Sequence, residues 1–131
     1  FHRDRQAAAT LVLREDQDAA QWGLVEVGTE NQIVRIVGKG RTSTESTNPR
    51  MFAGIHILSP RLLRDSPKGT AFSIIDPYVA AIARGDRVLG YDLHGYWSDI
   101  GTPERYTQAE KDAAAGLISL DARKLKPLPA I

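Results

Sequence analysis

At 131 residues and 14.4 kDa the chain has the length of one compact domain and too little for two well-buried cores. Hydrophobic residues make up 42% and charged residues 25%, which excludes a disordered or fibrous chain. Seventeen Lys and Arg against sixteen Asp and Glu leave a net charge of +1, no electrostatic footprint for nucleic acid or an anionic membrane, so any phosphate must be held locally. The absence of cysteine removes disulfides, thiolate nucleophiles and Cys-based zinc sites. No apolar run approaches the roughly 20 residues of a membrane span, and these features together predict a soluble, cytoplasmic protein. The chain opens on Phe1 and its only methionine is Met51, which raises the expectation of a missing N-terminal portion.

In chain order, the run from Ala8 to Arg14 predicts a buried strand, followed by a polar loop from Glu15 to Gln21. Two apolar runs, Trp22 to Val27 and Gln32 to Val37, flank Gly28-Thr29-Glu30-Asn31 and predict a hairpin. Gly, Ser, Thr and Asn dominate from Gly38 to Pro49, which predicts a flexible surface loop. Met51 to Leu58 has apolar residues on both faces and predicts a central strand. Pro60 suits the start of a short helix through Leu63. Asp76 as N-cap with Pro77 behind it predicts a helix that stops at Gly85, with Tyr78, Ala81 and Ile82 on its apolar side. Arg87 to Leu93 predicts a strand, continued in extended form by Gly95 to Gly101. Thr102 and Pro103 open a last helix that ends at Gly116, and a tail follows over residues 117–131. Strands interleaved with helices imply an α/β layer structure with a mixed sheet.

Two strings carry candidate chemistry. Gly38-Lys39-Gly40-Arg41-Thr42-Ser43 looks like a phosphate cradle, but a P-loop needs wider glycine spacing and a Lys-Ser/Thr pair opening a helix, whereas Pro49 follows here in a polar stretch. Taken alone, it reads as a solvated basic loop. In the second string, Gly95 to Tyr106, two aromatics lead to Asp99 just ahead of a capped helix. A carboxylate in that position suits Mg²⁺, which takes oxygen ligands and shares them with substrate phosphates. The alternative is that Asp99 only hydrogen-bonds the following turn. His56 is read as a core histidine or as facing a pocket, and Trp22, Tyr96 and Trp97 as core aromatics or as walls of a sugar site. His2 and His94 lack metal-ligand spacing.

Trp22-Gly23-Leu24-Val25-Glu26, the Lys39 loop, Phe52 to Leu58, Phe72-Ser73-Ile74-Ile75-Asp76 and the Trp97 to Tyr106 string occur in the order of one family. The chain resembles the sugar-phosphate nucleotidyltransferases, the NDP-sugar pyrophosphorylases, and most of all their mannose-1-phosphate guanylyltransferase-like branch. The resemblance covers Ala8 to Ala109 and implies the C-terminal, sugar-phosphate-binding half of a Rossmann-like catalytic domain, over residues 1–116. It implies a reaction in which a sugar-1-phosphate oxygen attacks the α-phosphorus of a nucleoside triphosphate and releases pyrophosphate. Carried over by position, Asp99 is one of two carboxylates on the catalytic Mg²⁺ and Lys39 meets the sugar phosphate. Gly23 and Gly54 let the backbone approach the sugar, and Glu26 lies near the same wall.

Three departures limit that carry-over. Gly38-Lys39-Gly40 stands where the family usually has Glu-Lys-Pro, so a carboxylate that grips a sugar hydroxyl is absent. Phe52 occupies the place of an Asn found in N-acetylhexosamine-specific branches. The family's Gly-x-Gly-Thr-Arg loop and first metal Asp are missing from these residues. The sequence therefore implies a fragment inactive on its own, which self-associates or pairs with the missing half. The alternatives are a non-catalytic sugar-phosphate-binding or regulatory subunit that pairs with a complete homologue, and an unrelated α/β interaction domain.

Overall fold

The computed structural model describes residues 1–16, 19, 23–41 and 47–118. They fall into two compact units, one over Phe1–His94 and one from Gly95 onward. The first unit holds six strands: β1 (Ala9–Arg14), β2 (Leu24–Val27), β3 (Ile33–Ile36), β4 (Lys39–Gly40), β5 (Asn48–Leu58) and β6 (Val88–Asp92). They form one mixed sheet in the order β4-β3-β2-β5-β1-β6, antiparallel throughout except for the parallel pair β1 and β6.

Burial explains the order. Leu11 and Leu13 of β1 are almost wholly buried on one face and Thr10 is buried on the other, as a strand covered on both sides requires. The helix α1 (Ile75–Arg84) lays Tyr78, Ala81 and Ile82 against Leu11, Leu13, Val25, Ile36 and Val88. Each fully buried Leu or Ile in such a layer contributes about 1.5–3 kcal/mol over its exposed state, so this shared face holds the unit together. Helix α1 stops where expected, at Gly85, whose φ of 82° suits glycine. It starts two residues earlier than expected, at Ile75 rather than Pro77, so Asp76 is not the N-cap but lies in the first turn. Ser73 provides the local partner, its Oγ accepting from the Ile75 N–H at 3.3 Å.

The expected hairpin is present: β2 and β3 pair antiparallel, with Val25 opposite Ile36 and Glu26 opposite Arg35. The expected loop from Gly38 to Pro49 is shorter than its composition suggested, because Lys39–Gly40 forms β4 against β3 and β5 already begins at Asn48. Residues 42–46 of that stretch, including the Thr42-Ser43 hydroxyls, lie outside the described residues. Val37 and Gly38, with φ of 50° and 72°, make the two-residue connection from β3 to β4. Positive φ at both central residues is the mark of a type I′ turn, whose twist matches the strands. Gly40 is demanded by packing: a Cβ there, at φ 136°, would stand 2.3 Å from the Val34 carbonyl oxygen.

Strand β5 is central, between β2 and β1, as expected. Its pairing with β1 is broken by a bulge: between the Leu13–Phe52 and Leu11–His56 pairs, Val12 alone faces Ala53, Gly54 and Ile55. Gly54, at φ 81°, absorbs the bend. Beyond the bulge the expectation of a strand buried on both faces fails, because Ile55 and Ile57 are 54% and 55% exposed. Strand β2 pairs with β5 over Asn48–Met51, and among the described residues the second edge of Ile55 to Leu58 has no strand beside it.

In the second unit, Gly95 to Gly101 contains no regular element, and α2 (Pro103–Ala114) follows. Thr102 caps it by accepting from the Arg105 N–H, Pro103 takes the first position, and Gly116 follows the end at φ 76°. Of the tail, only residues 117 and 118 are described.

Candidate active site

Four of the five residues that the sequence singles out belong to the first unit. Gly23 precedes β2 at φ 101°, and Gly54 sits in the β5 bulge with open space where a Cβ would be. Both glycines therefore have a conformational reason to be glycine, and at Gly54 that space is also free to a ligand. Leu24 pairs with Met51, so Gly23 lies at the end of β2 that points toward the β5 bulge.

Lys39 is exposed on β4, and the pairing runs Lys39–Ile36–Val25 in one row across three strands. Directly opposed residues share a face, so Lys39 lies on the face of Val25, the same face as α1. Glu26 is in the neighbouring row, with Arg35 and Gly40, and hence on the other face. Its Oε1 pairs with Arg35 Nε at 3.5 Å, while Oε2 accepts from Thr47 Oγ1 at 3.3 Å. The sheet thus separates Glu26 from Lys39. Arg35 also donates to the Gly38 carbonyl at 2.9 Å, which ties the turn beside Lys39 to β3.

Asp99 belongs to the second unit. Its Oδ1 accepts the Gly101 N–H at 2.9 Å and its Oδ2 pairs with Arg105 Nη1 at 2.5 Å. The turn-bonding alternative weighed from the sequence is therefore realised, with an arginine added. A carboxylate oxygen is the right donor for Mg²⁺, but among the described residues no cluster of three or more His, Asp or Glu side chains exists. A cation at Asp99 fits only as a partner to one carboxylate, completed by phosphate oxygens and water, with Arg105 swung off Oδ2.

Two arrangements escaped the sequence. Phe52 and His56 follow one another on the α1 face of β5, rings stacked at 5.9 Å, and His56 Nδ1 is hydrogen-bonded to the Tyr78 hydroxyl at 2.5 Å. His56 is thus an exposed imidazole oriented by a buried phenol, not a core histidine. Burial pushes the Tyr78 hydroxyl up to about 12, so it remains protonated. The second arrangement lies at the carboxyl ends of β1 and β6, where open α/β sheets carry their ligand crevices. Arg50 there bridges Glu15 at 3.1 Å and Asp92 at 3.4 Å, beside an Arg14–Asp16 pair. Neither had a sequence signal, since each depends on strand pairing between residues far apart in the chain. Tyr96 donates to Asp112 on α2 at 2.8 Å, and that bond raises its pKa. Of the other two aromatics, Trp97 is half-buried and Trp22 lies outside the described residues.

The sequence pattern of the Nucleotidyl transferase family matches residues 1–116 and so takes in all five positions. A mannose-1-phosphate guanylyltransferase of Mycobacterium tuberculosis is 28% identical over 89% of this chain and 32% of its own length. A mannose-1-phosphate guanyltransferase of Schizosaccharomyces pombe is 32% identical over 81% of this chain and 29% of its own. The chain spans about a third of the length of these relatives. Among solved structures, the inositol-1-phosphate CTP transferase from T. maritima superposes with a TM-score of 0.57 at 17% identity, over 85% of this chain and 46% of that one. A structure from Bacillus anthracis gives 0.61 at 19% identity, over 92% and 48%. These likenesses show the shared Rossmann-like nucleotidyltransferase fold. The α/β sheet and the sequence pattern agree, and the chain belongs to the Nucleotidyl transferase family.

Proposed function

We propose that this chain carries the sugar-phosphate side of a sugar-1-phosphate nucleotidyltransferase, with a mannose-1-phosphate-like substrate and a nucleoside triphosphate as the second. The supporting observation is the family match over residues 1–116, which spans Gly23, Glu26, Lys39, Gly54 and Asp99 in one run. No glycine-rich triphosphate loop occurs in these 131 residues, so this reading assigns that half of the catalytic domain to polypeptide outside them. Residues 1–116 are the sugar-phosphate half and 117–131 a tail.

The chemistry follows from charge. A sugar-1-phosphate oxygen attacks the α-phosphorus in line, and pyrophosphate departs with the electron pair of the broken P–O bond. Such a reaction needs positioning and charge neutralisation more than covalent help. The Lys39 ammonium, held at a short rigid turn, neutralises the sugar phosphate. The open space at Gly54 lets the sugar lie against the backbone. Asp99 would hold a Mg²⁺, which would supply neutralisation of the phosphate charge. The Asp99–Arg105 pair orients the carboxylate.

Calorimetric titration of the chain with mannose-1-phosphate, with and without Mg²⁺, tests this. Binding is expected, and Lys39→Ala should weaken it roughly tenfold or more, the worth of one charge-assisted contact. Loss of the Mg²⁺ dependence in Asp99→Ala supports the metal role. Wild-type affinity in Lys39→Ala would overturn the phosphate assignment. A Mg²⁺ dependence untouched in Asp99→Ala would instead favour the non-catalytic subunit, a reading with which the Asp99–Arg105 pair is compatible.

A further inference from the structure

The amino end of the sheet carries a groove of about 550 Å³, lined by His2, Arg3, Gln6, Ser59, Arg61 and Arg87 among others. Gln6 and Ala7 lead into β1, Ser59 follows β5, and Arg87 precedes β6, so three strand ends converge on it. The opposite ends of β1 and β6 carry Arg50, Glu15 and Asp92. The length of β1, about 20 Å at some 3.3 Å per residue, separates the two.

The composition of the groove is one-sided. Three guanidiniums line it, no carboxylate does, and among the described residues none of Arg3, Arg61 and Arg87 is in a salt bridge with an acid. Two of them are aimed by main-chain oxygens: Arg61 Nη2 donates to the Gln6 carbonyl at 2.6 Å and Arg87 Nη1 to the Arg5 carbonyl at 3.0 Å. A guanidinium has five N–H donors, so one bond to a carbonyl orients the group and leaves most of its donors for a ligand. The floor is also fixed. Ser59 Oγ donates to the Ala7 carbonyl at 2.7 Å, which leaves it to accept from His2 Nε2 at 3.2 Å, and His2 Nδ1 meets Thr10 Oγ1 at 2.8 Å.

Unpaired arginines on a rigid frame lack a counter-ion, and planar guanidiniums match phosphate oxygens two at a time. The volume lies within the usual range for small-molecule sites. We propose that this groove binds a phosphorylated small molecule bearing two or more negative charges, at a site separate from the one that takes the sugar phosphate. Its ligand reaches β1, β5 and β6 from the ends opposite Arg50 and Asp92.

The test is calorimetric titration of the full chain with inorganic pyrophosphate at low salt, paired with citrate and with amide chemical-shift mapping. One-to-one binding is expected, with shifts confined to residues 2–7, 59–61 and 87. It should weaken at least tenfold in Arg61→Gln/Arg87→Gln, whose folding is checked by its unchanged shifts elsewhere, and remain as in the wild type in Lys39→Ala. Three results would overturn the proposal: no binding, binding that survives the double substitution, or shifts centred on Lys39. Citrate binding as tightly as pyrophosphate would overturn the choice of phosphate as the recognised group.

Discussion

Val37 is the residue where local preference and fold disagree most. A β-branched side chain at φ 50° is costly, and Val37 is 54% exposed, so little burial offsets the strain. Val37→Asn, which tolerates that region and retains the N–H that donates to the Leu24 carbonyl at 2.7 Å, should raise stability by about 1 kcal/mol. A urea midpoint that stays or falls would show the turn to be relaxed. His2 makes a prediction of opposite kind. Burial, then Arg61, the amino terminus and Arg3, lower its pKa below the ordinary 6.5. The folded state therefore prefers the neutral ring and the unfolded state takes up the proton first. Stability is full above pH 6.5 and declines as pH falls from there to the folded pKa, below which this contribution is constant. Thermal melts from pH 8 to 5 should show that slope in the wild type and a shallower one in His2→Gln. Equal slopes would remove His2 as the cause.

Among the elements, those with punctuation at both ends were legible from sequence. Thr102-Pro103 and Gly116 bracket α2 because capping chemistry is local to a few residues. Helix α1 begins two residues before its sequence signal, since Asp76-Pro77 has the look of a cap while Ser73 forms the actual hydrogen bond. Strand β4 was missed because two residues, one of them glycine, leave no periodicity to see. The candidate site divides the same way. Lys39, Gly54 and Asp99 are proposed from the order of motifs the chain shares with a family, whereas the separation of Glu26 from Lys39 by the sheet exists only once the register is known. The Phe52–His56–Tyr78 set was equally hidden, joining a strand to a helix across a long connection.

For the molecule as a whole, the end of β5 beyond its bulge, which has no second strand beside it among the described residues, bears on behaviour in solution. Among the described residues, Ile55 to Leu58 offers a strand edge with no charged residue, no proline and two exposed isoleucines, a combination that sheet proteins usually block. The chain should self-associate as concentration rises, and Ile57→Lys should suppress this, as followed by sedimentation velocity. A monomer at the highest concentrations reached would mean that the edge is covered.

The bulge in β5 has a further consequence for how this strand can vary in length. Three residues stand opposite one, an excess of two, and side chains alternate with a period of two. Phe52 and His56 consequently stay on the same side of the sheet across the irregularity, and Met51 and Ile57 on the other. Related chains can gain or lose this excess as a pair without exchanging the two faces of β5. A change of one residue would turn His56 away from Tyr78 and carry Ile57 into the helix-covered core.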